Sequence, residues 1–305
     1  MKNGFKKAPR EGEKFLNLDK SGGEKRPFDI LKWKLKSDPF KKRDKKSNLK
    51  VIKSAHPAKT KEDYICWLGH SSFLIQIEKT TILTDPIFGA PLFFKRYTDL
   101  PFPKESLKAD FILISHGHYD HLDSKTLKHF KDSTALVPLK MKPLVQKINR
   151  SLKVLECDWY EKYRIDEPFC ITFLPARHWH KRTPNDTNKI LWGSFLIQSQ
   201  KQTIYFAGDT AYGEHFKEIA KIADIDYALL PIGAYEPRWF MKNNHLNPKE
   251  ALQAFKDLKA KTLIPMHYGT FSLSDEPLNE PPRKLKEFIK DEKVMFLDIG
   301  EFLRI

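Results

Sequence analysis

The stretch His116-Gly117-His118-Tyr119-Asp120-His121 brings three imidazoles and a carboxylate together within six residues, directly after the apolar run 111–114. The apolar run predicts a strand, and the polar stretch predicts a loop at its end. Alternate residues of an extended loop project to the same side, so His116 and His118 can share one ion. Asp120 and His121 then fall to a second ion. Imidazole and carboxylate are ligands for zinc, iron or manganese. The stretch therefore predicts a metal site where a strand ends.

Four ligands cannot complete two metal sites, so further ligands must come from elsewhere in the chain. His178, Asp209 and His267 each follow an apolar, strand-like run. Each of them alone would be an ordinary loop or core residue. Their shared position after strands makes them candidate ligands, because a site at a sheet edge needs side chains at strand ends.

The order of these residues resembles the metallo-β-lactamase superfamily, in which a clustered motif is followed by a histidine, an aspartate and a final histidine. The resemblance implies an αββα sandwich, with two mixed sheets flanked by helices. It also implies two divalent metal ions, with zinc expected and manganese or iron as alternatives. The implied ligands are His116, His118 and His178 for the first ion, Asp120, His121 and His267 for the second, and Asp209 as the bridge.

The residues around these ligands are similar to the family of N-acylphosphatidylethanolamine-hydrolysing phospholipases D. The similar stretches are 67–70 with 84–88, 178–183 with 191–194, 231–241, and 267–271 with 280–282. That family cleaves a phospholipid phosphodiester and releases phosphatidic acid and an N-acylethanolamine. The likeness begins near Tyr64 and continues almost to the C-terminus. One departure is His180, which stands where the mammalian form has a cysteine.

The same resemblance implies roles for two more residues. Tyr119 and His245 match positions that contact substrate in the family. Our hypothesis is that a hydroxide bridging the two metals attacks phosphorus, that Asp120 orients the second ion, and that His245 supplies or positions a proton for the leaving group. One alternative is a lactonase or phosphodiesterase of the same superfamily that acts on a small soluble anion. Another is a metal-dependent binding protein that keeps the fold without turnover, which the complete ligand set argues against.

Length and composition predict one catalytic domain over residues 62–305, because 40% hydrophobic residues can fill a substantial core. The chain has neither a signal-peptide pattern nor an apolar run long enough to span a bilayer. We therefore expect a soluble, cytoplasmic protein, peripheral to a membrane at most. Cys66, Cys157 and Cys170 are expected as buried thiols. The oligomeric state is left open, and a homodimer is one option.

Residues 1–61 form a basic N-terminal arm. They hold 20 of the 54 Lys and Arg residues and 7 of the 39 Asp and Glu residues, which leaves 34 against 32 for the rest. Such an arm, with its basic cluster 41–46, is either mobile or packed on the core. Its cations and aromatics suit an anionic membrane surface. The equally weighted alternative is an arm that packs its aromatics on the core and binds nothing, and nucleic acid is the less favoured partner. Residues 31–36 alternate like a strand, yet Phe28, Leu31 and Leu35 share a helix face.

The remaining periodicity fits the sandwich. Strands are predicted near 72–77, 80–84, 111–115, 169–174, 190–198, 202–207, 226–231, 261–265 and 293–297. Helices are predicted near 124–131, 139–148, 214–222, 248–258 and 282–290.

Overall fold

Two mixed β-sheets, their flanking helices and a small β1–β2 hairpin make up the computed structural model, which describes residues 6–35, 47–57, 60–91 and 94–305. The strands are β1 Arg10–Glu11, β2 Lys14–Phe15, β3 Tyr64–Gly69, β4 Ser72–Ile77, β5 Thr80–Thr84, β6 Phe111–Leu113, β7 Thr134–Pro138, β8 Lys153–Cys157, β9 Cys170–Leu174, β10 Ser194–Gln198, β11 Thr203–Phe206, β12 Tyr227–Pro231, β13 Thr262–Met266 and β14 Phe302–Arg304. The helices are α1 Pro27–Leu35, α2 Ser124–Leu127, α3 Lys142–Ile148, α4 His215–Ile219, α5 Arg238–Met241, α6 Pro248–Leu258 and α7 Glu280–Phe288.

The larger sheet has the strand order β14-β3-β4-β5-β6-β7-β8, and the smaller sheet has the order β13-β12-β11-β10-β9. In the larger sheet, pairing is antiparallel from β14 to β5 and parallel from β5 to β8. In the smaller sheet, β9, β10 and β11 pair antiparallel, while β11, β12 and β13 pair parallel. The predicted sandwich of two mixed sheets flanked by helices is confirmed.

Strand β4 shows how the sequence divides the core into two parts. Phe73 and Ile75 belong to the main hydrophobic cluster, which also contains Phe173 and Phe195 of the smaller sheet. Leu74, between them in sequence, belongs to a second cluster with residues of α2 and α3. Because successive side chains of a strand point to opposite faces, an uninterrupted apolar strand is buried on both sides.

Helix α6 has the bounds that the sequence predicts. Asn247 accepts a hydrogen bond from the Glu250 N–H at 2.8 Å, and the Glu250 carboxylate accepts one from the Asn247 N–H at 3.1 Å. This reciprocal capping box, followed by Pro248 in the first turn, fixes where the helix begins. The helix ends before Lys259, which adopts a left-handed conformation.

The predicted strand at 293–297 is wrong. Val294 makes an isolated parallel bridge to Leu263, and the chain then leaves the edge of the smaller sheet. Strands β3, β7, β8 and β14 were absent from the sequence prediction, since short apolar runs between turns carry little periodicity. The segment predicted as a strand over 190–198 becomes extended only from Ser194.

The N-terminal residues combine buried and exposed parts. Phe15 of the β1–β2 hairpin is buried in the main cluster. Residues 27–35 form a helix rather than a strand, and the basic cluster 41–46 lies outside the described residues. In the described part of the chain, no helix has the length and apolar character needed to cross a membrane. The three cysteines are free, and Cys66 and Cys157 are buried while Cys170 is half-buried.

Candidate metal centre

Strand ends from both sheets meet at one edge of the sandwich and carry all seven predicted ligands. The clustered motif follows β6 of the larger sheet, and the other three ligands follow β9, β11 and β13 of the smaller sheet. The structure brings together His116, His118, Asp120, His121, His178, Asp209 and His267. The centre therefore lies between the two sheets and receives side chains from each.

The first ligand set is a triad of ring nitrogens. His118 Nδ1 lies 3.0 Å from His116 Nε2 and 3.1 Å from His178 Nε2. Two further contacts orient the rings: the Ser115 hydroxyl lies 2.9 Å from His116 Nδ1, and the Asn244 carbonyl lies 3.0 Å from His178 Nδ1. These contacts aim three ring nitrogens at one point, as a three-histidine metal site requires.

The second ligand set surrounds two carboxylates. His121 Nε2 and His267 Nε2 lie 3.5 and 3.7 Å from Asp120 Oδ2. Asp209 stands between the sets, with Oδ2 3.2 Å from His121 Nε2 and Oδ1 3.0 Å from His267 Nε2. Asp209 Oδ2 also lies 3.9 Å from the Nε2 atoms of His116 and His178. This carboxylate faces both sets at once.

The centre has the donor chemistry of a metal site. Among the described residues, His121 Nε2, His267 Nε2, Asp209 Oδ1 and His245 Nδ1 are buried, and none of their close contacts has the geometry of a hydrogen bond. Leaving buried polar atoms unsatisfied is costly, and natural structures avoid it. Here the unsatisfied atoms converge, and they are imidazole nitrogens and a carboxylate oxygen. The residues therefore fit divalent metal ions.

Asp85 supports the centre, and sequence reasoning gave it no role. Its carboxylate accepts a hydrogen bond from His121 Nδ1 at 2.7 Å and others from the Ser115 hydroxyl and backbone N–H at 2.6 and 2.7 Å. A carboxylate behind a metal-binding histidine fixes the tautomer and orientation of the ring. The available signal was the position of Asp85, a polar residue directly after the buried strand β5.

His70 is a second residue that sequence reasoning missed as part of the site. It is buried at the β3–β4 turn with a φ of 54°, and its Nε2 lies 3.2 Å from Asp120 Oδ2. Together with Asp120, His121 and His267 it forms one cluster of metal-binding side chains. The available signal was its position, a histidine directly after the apolar run of β3. His70 can hold the Asp120 carboxylate or offer a further nitrogen.

Burial and neighbouring charges give the histidines opposite pKa shifts. Burial lowers the pKa of His118 to about 3 and moves the pKa values of His116 and His178 in the same direction. For His267, burial is opposed by Asp209 and Asp120, which raise its pKa to about 9. Burial is likewise outweighed at His121, whose pKa is raised by Asp209, Asp120 and Asp85. Without metal, the two ligand sets thus differ in protonation.

The loop that carries the motif is braced from outside by Arg182. The guanidinium donates to the carbonyl oxygens of Gly117 and Leu122 at 3.0 and 2.9 Å, and it lies 4.2 Å above the Tyr119 ring. The Tyr119 hydroxyl donates in return to the Arg182 carbonyl at 2.9 Å. Tyr119 is half-buried at the rim of the centre, so its predicted contact with substrate stays a prediction.

His245 lies beside the centre, as its predicted role in catalysis and substrate binding requires. Its Nδ1 is 3.8 Å from Asp209 Oδ2, and its ring centre is 5.3 Å from that of His178. Burial lowers the pKa of His245 to about 4. The Arg238 guanidinium donates to the His245 carbonyl at 2.9 Å, which ties this residue to helix α5.

His180 is fully buried behind the first ligand set. Its ring is parallel to that of His118 at a centroid distance of 6.4 Å. A Cβ at Gly117 would lie 2.1 Å from His180 Cε1, so the ring needs glycine at the second position of the motif.

Comparisons with known proteins agree with this geometry. The model of the β-lactamase superfamily domain matches residues 80–268. N-acyl-phosphatidylethanolamine-hydrolyzing phospholipase D 1 of Caenorhabditis elegans is 33% identical over 336 aligned positions, which cover 97% of this chain and 94% of the worm protein. The mitochondrial N-acyl-phosphatidylethanolamine-hydrolyzing phospholipase D of Saccharomyces cerevisiae is 40% identical over 244 positions, which cover 73% of this chain and 51% of the yeast protein.

The chain thus spans about half the length of its yeast relative. Among solved structures, a metallo hydrolase of the archaeon Ignicoccus hospitalis has the same fold, with a TM-score of 0.62 at 22% identity over 80% of this chain and 98% of the archaeal one. The family match covers most of the chain, and the similarity to the worm protein covers nearly all of it. The chain belongs to the β-lactamase superfamily and is a metal-dependent hydrolase.

Proposed function

We propose that this protein is a phospholipase D-type phosphodiesterase that hydrolyses N-acylphosphatidylethanolamine to an N-acylethanolamine and phosphatidic acid. The observation that carries the proposal is the full cluster of seven His and Asp side chains in a chain whose similarity to the worm phospholipase spans 97% of its length. Because the fold alone hosts many reactions, the substrate is argued from the similarity and from the surroundings of the site.

The centre would hold two divalent ions, one in the triad of His116, His118 and His178 and one in the second ligand set, with Asp209 shared. When bound there, such ions lower the pKa of water toward neutrality and neutralise charge on a phosphoryl oxygen. The protein's own contribution is orientation. Asp85 fixes the His121 ring through a 2.7 Å hydrogen bond, and His70 lies 3.2 Å from the Asp120 carboxylate.

We assign His245 to the leaving-group side of the reaction. Its Nδ1 lies 3.8 Å from Asp209 Oδ2, and neither ligand set includes it, so we place this ring against the ethanolamine oxygen of the substrate. The low pKa means that the ring is neutral at pH 7, and it would act through its single N–H. Donation of a hydrogen bond to the departing oxygen is then favoured over transfer from an imidazolium.

We also propose that helix α1 contacts the surface of the phospholipid bilayer. Phe28, Leu31 and Leu35 share one face of the helix and are 70%, 53% and 72% exposed. The opposite side holds α1 to the protein, because Trp33 stacks on Phe240 of α5 at 5.0 Å and donates to Asp275 at 2.9 Å. An exposed apolar face is suited to the interfacial region of a membrane.

Charge and location support this membrane contact. The exposed residues Arg26, Lys32 and Lys34 lie in or directly before α1, and such cations are attracted to anionic lipid headgroups. Helix α5, on which α1 packs, leads within a few residues to His245 at the metal centre. A bilayer bound at α1 would therefore lie close to the site that takes a lipid from it.

The proposed reaction is tested with zinc-loaded protein and vesicles that contain N-acylphosphatidylethanolamine. We expect equal amounts of N-acylethanolamine and phosphatidic acid by mass spectrometry, and we expect neither product from His121→Ala. Arg283→Ala, an exposed change on α7, serves as the matched control and should behave like the unmodified protein. Absence of both products from metal-loaded protein would contradict the proposal, and assays on lactones and small soluble phosphodiesters would then identify the substrate.

A further inference from the structure

An N-terminal segment, residues 17–24, crosses the back of the metal centre, and we call it the strap. It lies before the part of the chain that matches the superfamily, residues 80–268. Asn17 is 1% exposed, and its Oδ1 accepts hydrogen bonds from the His178 backbone N–H at 3.0 Å and from Trp192 Nε1 at 3.2 Å. Its amide group donates to the Ser21 carbonyl at 3.1 Å. Asn17 is thereby locked in place at a metal-binding residue.

The other end of the strap touches the same histidine. Gly23 has a φ of 71°, and a Cβ built on it would lie 2.6 Å from the His178 carbonyl oxygen. The Gly23 carbonyl accepts a hydrogen bond from Asn244 Nδ2 at 2.9 Å, and the Asn244 carbonyl in turn lies 3.0 Å from His178 Nδ1. The strap therefore contacts the backbone of His178 on both its N–H and its C=O side, and it reaches the ring through Asn244.

We infer that the strap is a positioning element of the metal centre and that Asn17 and Gly23 hold His178 in its ligating orientation. This assigns part of the basic N-terminal segment to the catalytic unit. The inference depends on His178 being a ligand and does not depend on which substrate the protein hydrolyses.

Two physical effects make the inference specific. Removing the Asn17 side chain leaves a buried backbone N–H without an acceptor, so the segment around His178 must shift to find one. Adding a methyl group at Gly23 pushes directly against the His178 carbonyl. Partners of metal ligands commonly change metal affinity by about 10- to 100-fold when they are lost. We expect changes of this size at the first ligand set.

The test is a Co²⁺ titration of metal-free protein followed by its visible absorption, which reports ligand number and geometry. Asn17→Ala is compared with Leu18→Ala, which removes apolar packing from the same strap. Gly23→Ala is compared with Gly12→Ala: both glycines have positive φ, 71° and 57°, but a Cβ at Gly12 has nothing within 4 Å. Gly12→Ala thus controls for backbone strain, and Leu18→Ala controls for general destabilisation of the strap. An effect beyond these controls is due to contact with His178. His178→Ala gives the spectrum of a centre that lacks this ligand.

We expect Asn17→Ala and Gly23→Ala to weaken Co²⁺ binding by about 10- to 100-fold and to shift the spectrum toward that of His178→Ala. Leu18→Ala and Gly12→Ala should keep the unmodified spectrum even where the melting temperature falls. Two results would overturn the inference: unchanged Co²⁺ binding in Gly23→Ala, or equal losses in each variant and its control. If Asn17→Ala does not fold, the comparison of Gly23→Ala with Gly12→Ala tests the inference. Because no lipid is present, the phospholipase proposal is judged separately.

Discussion

His118 and His267 belong to one centre, yet they bind protons very differently. Burial lowers the pKa of His118 to about 3, whereas Asp209 and Asp120 overcome burial and raise the pKa of His267 to about 9. A histidine must give up the proton on its ligating nitrogen before it can bind a metal. At pH 7 the first ligand set is already neutral, while His267 and His121 carry protons that metal binding must displace.

The two ligand sets should therefore differ in how pH changes their metal affinity. We expect Zn²⁺ affinity at the second set to rise by roughly tenfold per pH unit for each proton released, from pH 6 until the pH passes about 9. The Zn²⁺ affinity of the first set should not change with pH over the same range. Calorimetric titrations with Zn²⁺ at pH 6, 7 and 8 measure these affinities, and the titrations are repeated with His267→Ala. Equal pH slopes in the two proteins would contradict the assignment.

His245 offers a second prediction at the level of one residue. If its N–H stabilises a departing alkoxide, His245→Ala should lower the rate with the natural lipid by about 100-fold or more, as loss of a hydrogen-bond donor to a developing oxyanion does in other enzymes. A nitrophenyl phosphodiester has a leaving group that needs no proton, so its hydrolysis should lose far less. Steady-state rates for both substrates make the comparison. Equal losses would exclude a role at the leaving group.

Helix α1 shows how an element can combine two incompatible sequence patterns. The alternation in residues 31–36 is typical of a strand, and the spacing of Phe28, Leu31 and Leu35 is typical of a helix face. The chain forms the helix over Pro27–Leu35, but the apolar face that it creates points away from the protein core. The face that packs is the one with Trp33, whose ring reaches Phe240. Tertiary contacts thus selected both the conformation and the exposed side.

If α1 contacts membranes, replacing Phe28, Leu31 and Leu35 together by alanine should weaken vesicle binding more than tenfold. Each apolar side chain that enters a bilayer contributes on the order of 1 kcal/mol or more. Co-sedimentation with phosphatidylcholine vesicles containing phosphatidic acid measures binding, and hydrolysis of detergent-dispersed lipid should be unchanged. Phe288→Ala on α7, also exposed, is the control. Undiminished vesicle binding of the triple variant would exclude α1 as the membrane contact. Deleting the N-terminus is unsuitable, because it also removes Asn17.

At the scale of the whole molecule, the metal centre is a junction between the two sheets. The larger sheet supplies the clustered motif, and the smaller sheet supplies His178, Asp209 and His267. The strap adds a third segment, through the hydrogen bond between Asn17 and His178. Ions bound here would link all three and would neutralise two buried carboxylates.

Removing the metal should accordingly destabilise the entire fold. A ligand present at 100 times its dissociation constant stabilises the folded state by about 2.7 kcal/mol. In a chain of this size that corresponds to a loss of roughly 5 °C or more in melting temperature. Thermal unfolding before and after chelation, followed by zinc restoration, measures the effect. Identical melting temperatures for metal-free and metal-loaded protein would show that the centre does not join the sheets.

The sequence predicted the position of the centre because strand ends are marked by local patterns, and the resemblance carried by the motifs implied the fold. Apolar runs of four to six residues followed by polar side chains identify strand ends, and parallel strands place those ends at one edge. The prediction failed at 293–297, where an apolar run passes the sheet edge with one bridge at Val294. It also missed β7 and β8, which are short and lack alternation.

The sequence alone provided the order of the candidate ligands, and the resemblance carried by that order implied the sandwich fold and the superfamily. Tertiary structure decided the rest: that Asp85 supports His121, that His70 faces Asp120, that α1 exposes its apolar face, and that Asn17 contacts His178 across 161 positions of sequence. Tertiary structure also decided which of the histidines carry a proton at neutral pH. The reason is physical, since periodicity reports only neighbours along the chain, whereas burial, charge and hydrogen bonding depend on which distant segments the fold brings together.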